Sequence, residues 1–143
     1  MSPRGRRERQ SERGFTLIEL LVVLVILVLI GGLVGPQVLS YLGGARSDTA
    51  GLQMDNIASA LDLYRLDNGR YPTEQEGLQA LIAAPADARR WDGPYLRGGE
   101  VPVDPWDRAY VYSGDGDGFS LSTLGADGAE GGDGENQDIT RTN

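Results

Sequence analysis

The 143-residue chain contains no cysteine, no histidine and, among its 13 basic residues, no lysine. Without cysteine there can be no disulfides, no thiolate metal ligands and no thiol nucleophiles. Without histidine the chain lacks the commonest general base and the usual ligand of zinc and copper. Most triad and metal-hydrolase chemistries are therefore excluded. A net charge of −8 also argues against nucleic-acid binding, because phosphate contacts require clustered cations.

Positive charge is concentrated at the N-terminus. Residues 1–14 contain five arginines and two acids, whereas the rest of the chain carries 8 arginines and 19 acids. A basic segment in front of an acidic body indicates a targeting sequence.

A long apolar run follows this basic segment. From Phe15 to Val34, twenty residues, the only polar side chains are Thr16 and Glu19. As a helix the run would be about 30 Å long, which matches the hydrocarbon thickness of a bilayer. We expect a retained membrane anchor with its N-terminus in the cytoplasm, since arginines precede the run and acids follow it. A buried core helix and a cleaved secretory signal are the alternatives.

Glu19 is the one ionisable group in the apolar run. A carboxylate in a membrane segment costs roughly 2.5–3.5 kcal/mol, so it either reaches the interface or has a partner. The surrounding string from Arg13 to Leu20, RGFTLIEL, resembles the type III signal of type IV pilins and of the pseudopilins of type II secretion. The resemblance implies that a prepilin peptidase cleaves between Gly14 and Phe15 and N-methylates Phe15. Glu19 would then pair with the Phe15 ammonium of a neighbouring subunit.

Helical character is predicted to continue beyond an anchor that spans residues 15–35. Pro36 should kink the helix or open it locally, because proline lacks a backbone donor. Residues 36–66 are predicted to form an amphipathic helix, and the Asp-Asn-Gly sequence at 67–69 predicts its end. Helical spacing assigns these residues to its apolar side: Val38, Leu39, Leu42, Leu52, Ile57, Ala60, Leu61 and Tyr64.

Residues 67–124 are predicted to form a small globular head. A short helix from Glu74 to about Ala84 would begin with a capping box formed by Thr73 and Glu76. Residues 85–108 predict a long connecting loop, in which Asp104 and Asp107 indicate a turn rather than a paired-carboxylate site.

The end of this head is predicted to form a sheet. Two alternating stretches, 109–112 and 119–124, are typical of paired strands, and the glycine-rich segment between them predicts a hairpin. The predicted fold class is therefore α+β, with a long N-terminal transmembrane helix and a small head that carries a short antiparallel sheet.

Five later blocks of the sequence carry a second resemblance: residues 64–73, 77–81, 94–96, 102–106 and 124–139. In this order they are similar to the major pseudopilin family of type II secretion, protein G of the general secretion pathway. The resemblance implies a type IV pilin-like fold and a non-enzymatic subunit of the periplasmic pseudopilus, which drives folded proteins across the outer membrane of a Gram-negative bacterium. It implies a single-pass inner-membrane protein with a periplasmic head. The subunit would leave the lipid to form a homopolymer, and its other partners would be minor pseudopilins and an inner-membrane assembly platform. A type IV pilus subunit for adhesion or motility and a membrane-anchored periplasmic enzyme or binding domain are the alternatives.

The C-terminal segment, residues 125–143, is predicted to include a calcium-binding loop. The segment from Asp115 through Asp138, with both ends included, contains seven acids and no base, so an empty loop should repel itself. Calcium takes roughly six to eight oxygen ligands, but the spacing here does not match an EF-hand. Composition alone also permits a disordered acidic tail. The similarity to the calcium loop of the family implies Asp127 and Asp138 as side-chain ligands, Leu124 as a carbonyl ligand, and Asp133 and Glu135 as weaker candidates. The ion would replace the disulfide with which type IV pilins usually close this region.

Overall fold

The computed structural model describes residues 14–143. Residues 1–13 of the predicted leader lie outside this range, so only its last residue, Gly14, is described. The chain divides into two units, one ending at Val38 and one spanning Leu39–Asn143. Helix α1, Leu17–Asn68, contributes residues to both units.

In the first unit, Thr16 caps the start of α1. The Glu19 N–H donates to the Thr16 hydroxyl oxygen at 3.3 Å and to its carbonyl at 3.1 Å. Capping by a threonine hydroxyl satisfies one of the backbone donors left free in the first turn. The segment Leu17–Gly35 then has a mean hydropathy of 3.2, and none of it is buried inside the described chain. Its length and composition are those of a membrane-spanning helix, as the sequence predicts.

Helix α1 remains helical at Pro36, where the sequence analysis predicted a local opening. That part of the prediction was wrong. Proline removes only the hydrogen bond to the carbonyl four residues earlier, and its fixed φ is itself helical. The neighbouring turns can therefore keep the helix intact, which is common for proline in membrane helices.

In the second unit, α1 buries one side against the head. The buried residues are spaced alternately four and three apart, the period of an amphipathic helix. Leu42 and Leu52, which were predicted on the apolar side, are 56% and 67% exposed. Leu52 lies two residues before a buried position, and this offset places it on the opposite side of the helix. The buried residues in this row are Ala50, Met54, Ile57, Leu61 and Tyr64.

Helix α1 ends at Asn68, inside the Asp-Asn-Gly sequence that predicted its end. Gly69 has a φ of 75°, and its N–H donates to the Arg65 carbonyl at 2.7 Å. A glycine in this left-handed conformation is a common helix terminator because it has no Cβ to clash.

The predicted helix from Glu74 to Ala84 does not form, although its capping box does. The Thr73 N–H donates to Glu76 Oε2 at 2.8 Å, and the Glu76 N–H donates to Thr73 Oγ1 at 3.4 Å. Gly77 follows with a φ of 58°, which breaks the helical backbone at once. Within the span of the predicted helix, Gly77 is followed only by a 3₁₀ turn, Leu78–Leu81. The capping residues thus stabilise a turn.

The head contains a three-stranded antiparallel sheet in the order β1-β2-β3. Strand β1 is Val111–Gly114, β2 is Phe119–Thr123 and β3 is Ile139–Thr142. In the central strand, residues 119, 121 and 123 are buried and the residues between them are partly exposed. The predicted hairpin is confirmed, with β1 beginning two residues later than expected. Strand β3 was missed, although Ile-Thr-Arg-Thr has the alternation typical of a strand.

Candidate functional site

The predicted processing site lies just before α1. Gly14 has open space around the position of a Cβ, and Phe15 is 79% exposed. The peptide bond between them is therefore outside the helix and free of packed side chains in the described chain. Glu19 lies in the first turn of α1, where the helix dipole favours a negative charge.

The predicted calcium loop joins β2 to β3, and its two arms meet. The Ala126 N–H donates to the Glu135 carbonyl at 2.9 Å, and the Gly128 N–H donates to the Leu124 carbonyl at 3.1 Å. Gly125 has a φ of 59°, and a Cβ there would lie 2.5 Å from the carbonyl carbon of Asn136. Only glycine permits this approach and this backbone conformation.

Of the predicted ligands, Asp138 has the surroundings that best fit a calcium ligand. Its Oδ2 accepts a hydrogen bond from the Gly131 N–H at 2.9 Å, while its Oδ1 is buried without a partner in the described residues. A buried carboxylate oxygen with no partner is unfavourable, and a calcium ion would satisfy it. Asp127 is exposed and accepts a hydrogen bond from the Ala129 N–H at 3.1 Å.

The two weaker candidates have different surroundings. Asp133 is exposed and precedes the 3₁₀ turn Gly134–Asn136 without capping it through its side chain. Glu135 Oε1 accepts hydrogen bonds from the Trp106 indole N–H at 3.1 Å and from Arg46 Nη1 at 3.3 Å. Within residues 14–143, no group of three or more acidic side chains is close enough together to hold a metal. Calcium in this loop would therefore need backbone carbonyls and water in addition to Asp127 and Asp138.

Asp104, which was predicted only as a turn residue, helps to position the C-terminal loop through Trp106. It is 3% exposed, and its Oδ1 accepts hydrogen bonds from the backbone N–H groups of Trp106 and Arg108 at 3.0 and 2.8 Å. Its Oδ2 accepts a hydrogen bond from the Thr123 hydroxyl at 2.6 Å. The predicted turn is thus confirmed, and it is also attached to β2. This attachment fixes the backbone of Trp106, whose indole binds Glu135.

The most strongly shifted titratable groups lie away from the loop. Arg70 makes two hydrogen bonds to Glu76, at 2.6 and 2.7 Å, and these lower the pKa of Glu76 to about 2. Burial raises the pKa of Tyr110 to about 12, and its hydroxyl donates to Gln53 Oε1 at 2.6 Å. Burial also raises the pKa of Tyr112. Tyr110 thus connects the residue before β1 to α1, and the Tyr112 hydroxyl of β1 donates to the Pro72 carbonyl at 2.7 Å, so the role of these groups is structural.

Two known families match different parts of the chain, one before Pro36 and the other after it. Residues 9–35 match the family described as the prokaryotic N-terminal methylation motif. Residues 37–142 match the family described as type II secretion system protein G. The chain belongs to the type II secretion system protein G family. The resemblance drawn from the sequence is thereby confirmed, and the family's role is that of a structural pseudopilin subunit.

Similar proteins cover nearly the whole chain. The type II secretion system core protein G of Pseudomonas aeruginosa is 45% identical over 139 residues, covering 92% of this chain and 96% of that protein. Its counterpart from Vibrio cholerae is 38% identical over 142 residues, covering 96% of each. The crystal structure of the major pseudopilin from the type 2 secretion system of enterohaemorrhagic Escherichia coli superposes with a TM-score of 0.54 at 33% identity. It covers 68% of this chain and 86% of that one. The predicted pilin-like α+β fold is confirmed.

Proposed function

We propose that this pseudopilin polymerises into a periplasmic filament that drives folded proteins across the outer membrane. The observation that carries the proposal is the succession of an N-terminal methylation motif, an unburied apolar helix and a protein G head in one chain. The surface of Leu17–Gly35 needs an apolar environment. Lipid would provide it before assembly and the helices of neighbouring subunits afterwards, since both are similarly apolar.

The first step of this proposal is processing by a prepilin peptidase. The enzyme would cleave between Gly14 and Phe15 and methylate the new amine, removing the basic leader and retaining the helix. Intact mass spectrometry of the membrane-extracted protein should give a chain that begins at N-methyl-Phe15. A mature chain that begins near Gly32 or Gly35 would indicate an ordinary secretory signal and would contradict the filament proposal.

Before assembly, the subunit would cross the inner membrane once, with its N-terminus in the cytoplasm and its head in the periplasm. The arginines of residues 1–14 and the acids that follow the helix support this orientation. Its other partners would be minor pseudopilins and an inner-membrane assembly platform.

Within the filament, Glu19 would pair with the Phe15 ammonium of a neighbouring subunit. Such a pair is attractive because hydrocarbon screens charges poorly. Glu19→Ala should therefore insert into the membrane at least as well as the wild type but form fewer filaments. Pro36 is a second proposed assembly residue, because proline removes one backbone hydrogen bond and so weakens the helix at this turn.

The C-terminal loop would bind one calcium ion. Asp127, Asp138 and the Leu124 carbonyl are the proposed ligands, and the supporting observation is Asp138 Oδ1, which is buried without a hydrogen-bond partner among residues 14–143. Asp133 remains a weaker candidate. When bound, calcium would supply a positive charge that holds the two acidic arms together and connects them to β2 and β3.

A thermal melt of the full chain in detergent tests this site. Calcium should raise the melting temperature relative to EGTA, because a ligand that binds only the folded state stabilises it. Asp127→Asn should abolish the shift, whereas Glu130→Gln, an exposed residue of the same loop, should preserve it. Identical curves for the wild type with calcium and with EGTA would overturn the calcium proposal.

A further inference from the structure

Glu135 connects the C-terminal loop to two other parts of the head at once. Its main-chain carbonyl accepts the Ala126 N–H and so closes the arms of the loop. Its side chain points away from the loop, where Oε1 accepts hydrogen bonds from the Trp106 indole and from Arg46 on α1. One residue thus fixes both the closure of the loop and its position against the helix.

A glycine on α1 makes this contact possible. A Cβ at the buried Gly43 would lie 2.7 Å from Glu135 Oε2, 2.9 Å from its Cδ and 3.0 Å from its Cβ. Any side chain at this position would force the Glu135 side chain to move. At the neighbouring Gly44, no atom of the described part of the chain lies within 4 Å of the Cβ position. No contact was predicted at either glycine.

We propose that Glu135 is a positioning residue that holds the loop on α1 through Trp106, Arg46 and the space at Gly43, and that it is not a calcium ligand. Oε1 already accepts two hydrogen bonds, one from a guanidinium, and Oε2 lies 2.7 Å from the position of a Gly43 Cβ, so the carboxylate is directed towards α1 and away from the acidic arms that would hold the ion. Because Glu135 joins the C-terminal loop to α1, ordering of this loop restrains residues 43–46 of α1. The coupling is reciprocal, so the state of this helical turn also affects the loop. Its calcium-dependent part rests on the proposed calcium site.

The two adjacent glycines provide a matched pair of variants for the full chain in detergent. Gly43→Ala and Gly44→Ala bring the same gain in helix propensity, but only the first displaces Glu135. Hydrogen exchange in EGTA should show the Ala126 amide exchanging roughly 10–100-fold faster in Gly43→Ala, the range expected for the loss of one hydrogen bond to a charged group. Gly44→Ala should match the wild type. Equal exchange of Ala126 in the two variants would overturn the proposal.

A second pair of variants separates positioning from metal ligation. Glu135→Gln keeps an oxygen that can accept the Trp106 indole N–H, whereas Trp106→Phe removes this donor and keeps an aromatic ring. A positioning role predicts that Trp106→Phe weakens calcium binding more than Glu135→Gln does. It also predicts that calcium no longer slows exchange at residues 43–46 in Trp106→Phe. A ligand role predicts the reverse, with Glu135→Gln behaving like Asp127→Asn.

The calcium measurements and the exchange measurement in EGTA test different parts of the proposal, and each can fail without the other. If calcium has no effect on the wild type, the calcium site and its coupling to α1 are wrong, and the exchange of Ala126 in EGTA still decides whether Glu135 positions the loop. If calcium binds and Glu135→Gln alone abolishes binding, Glu135 is a ligand and the positioning proposal is wrong.

Discussion

Replacing Asp104 by alanine should destabilise the head more than any surface substitution. The carboxylate is 3% exposed and accepts hydrogen bonds from the backbone N–H groups of Trp106 and Arg108 and from the Thr123 hydroxyl. Thr123 is itself 1% exposed, so water cannot replace the lost partner there. The two backbone donors lie on half-buried residues, where water can compensate in part.

The size of the effect follows from these contacts. A buried donor left without a partner costs about 1–3 kcal/mol, so one fully buried and two half-buried donors should together lower the free energy of unfolding by about 3–5 kcal/mol. This is a large share of the 5–15 kcal/mol, roughly, that stabilises an ordinary domain. The melting temperature should fall by at least about 12 °C.

Thermal melts of the full chain in detergent, followed by tryptophan fluorescence, measure this loss. Thr123→Val is the informative companion, because it removes the hydroxyl and keeps the shape of the side chain. The double variant should lose less stability than the sum of the single variants, since the hydroxyl left unpaired by Asp104→Ala is then absent. A loss below about 1 kcal/mol for Asp104→Ala would show that water or rearrangement satisfies these donors and would refute the reasoning.

Two further predictions concern turns of the head. The pKa of Glu76 is lowered from 4.5 to about 2, so the stability it contributes is present above its unfolded pKa and is lost as the pH falls towards 2. Glu76→Gln should therefore lower the free energy of unfolding by roughly 2 kcal/mol at pH 7 but change it little near pH 2, measured by denaturant titration at both pH values. Asp107 has a φ of 63°, so Asp107→Gly should raise the stability by about 0.5–1 kcal/mol and Asp107→Ala should lower it. A stabilising alanine would show that this backbone is not strained.

The features that the sequence predicted correctly depend on local signals. The apolar run, the string around Gly14, the end of α1 and the turn at Asp104 are each encoded within a few neighbouring residues. The capping box of Thr73 and Glu76 was also predicted correctly. Its helix was not, because Gly77 adopts a positive φ, and a glycine can occupy either side of the Ramachandran map without a local signal.

The features that were missed depend on contacts between distant residues. The strand that pairs with β3 is not next to it in the sequence. Strand β3 pairs with β2, and the C-terminal loop lies between the two strands. Glu135 was a weaker calcium candidate through the family resemblance, and the contact of its side chain with Arg46, 89 residues earlier in the chain, was not predicted. No contact was predicted at Gly43, and only the fold shows that this glycine makes room for Glu135. Pairwise contacts at this separation leave no periodicity in a single sequence.

The most direct test of the central claim is the secreted-protein profile of a strain that lacks this chain. The account predicts that folded proteins normally found in the medium accumulate in the periplasm, and that the wild-type gene restores their release. The Glu19→Ala variant should reach the membrane but fail to restore release, because its subunits insert without assembling. An unchanged secretion profile in the strain without the chain would contradict the account.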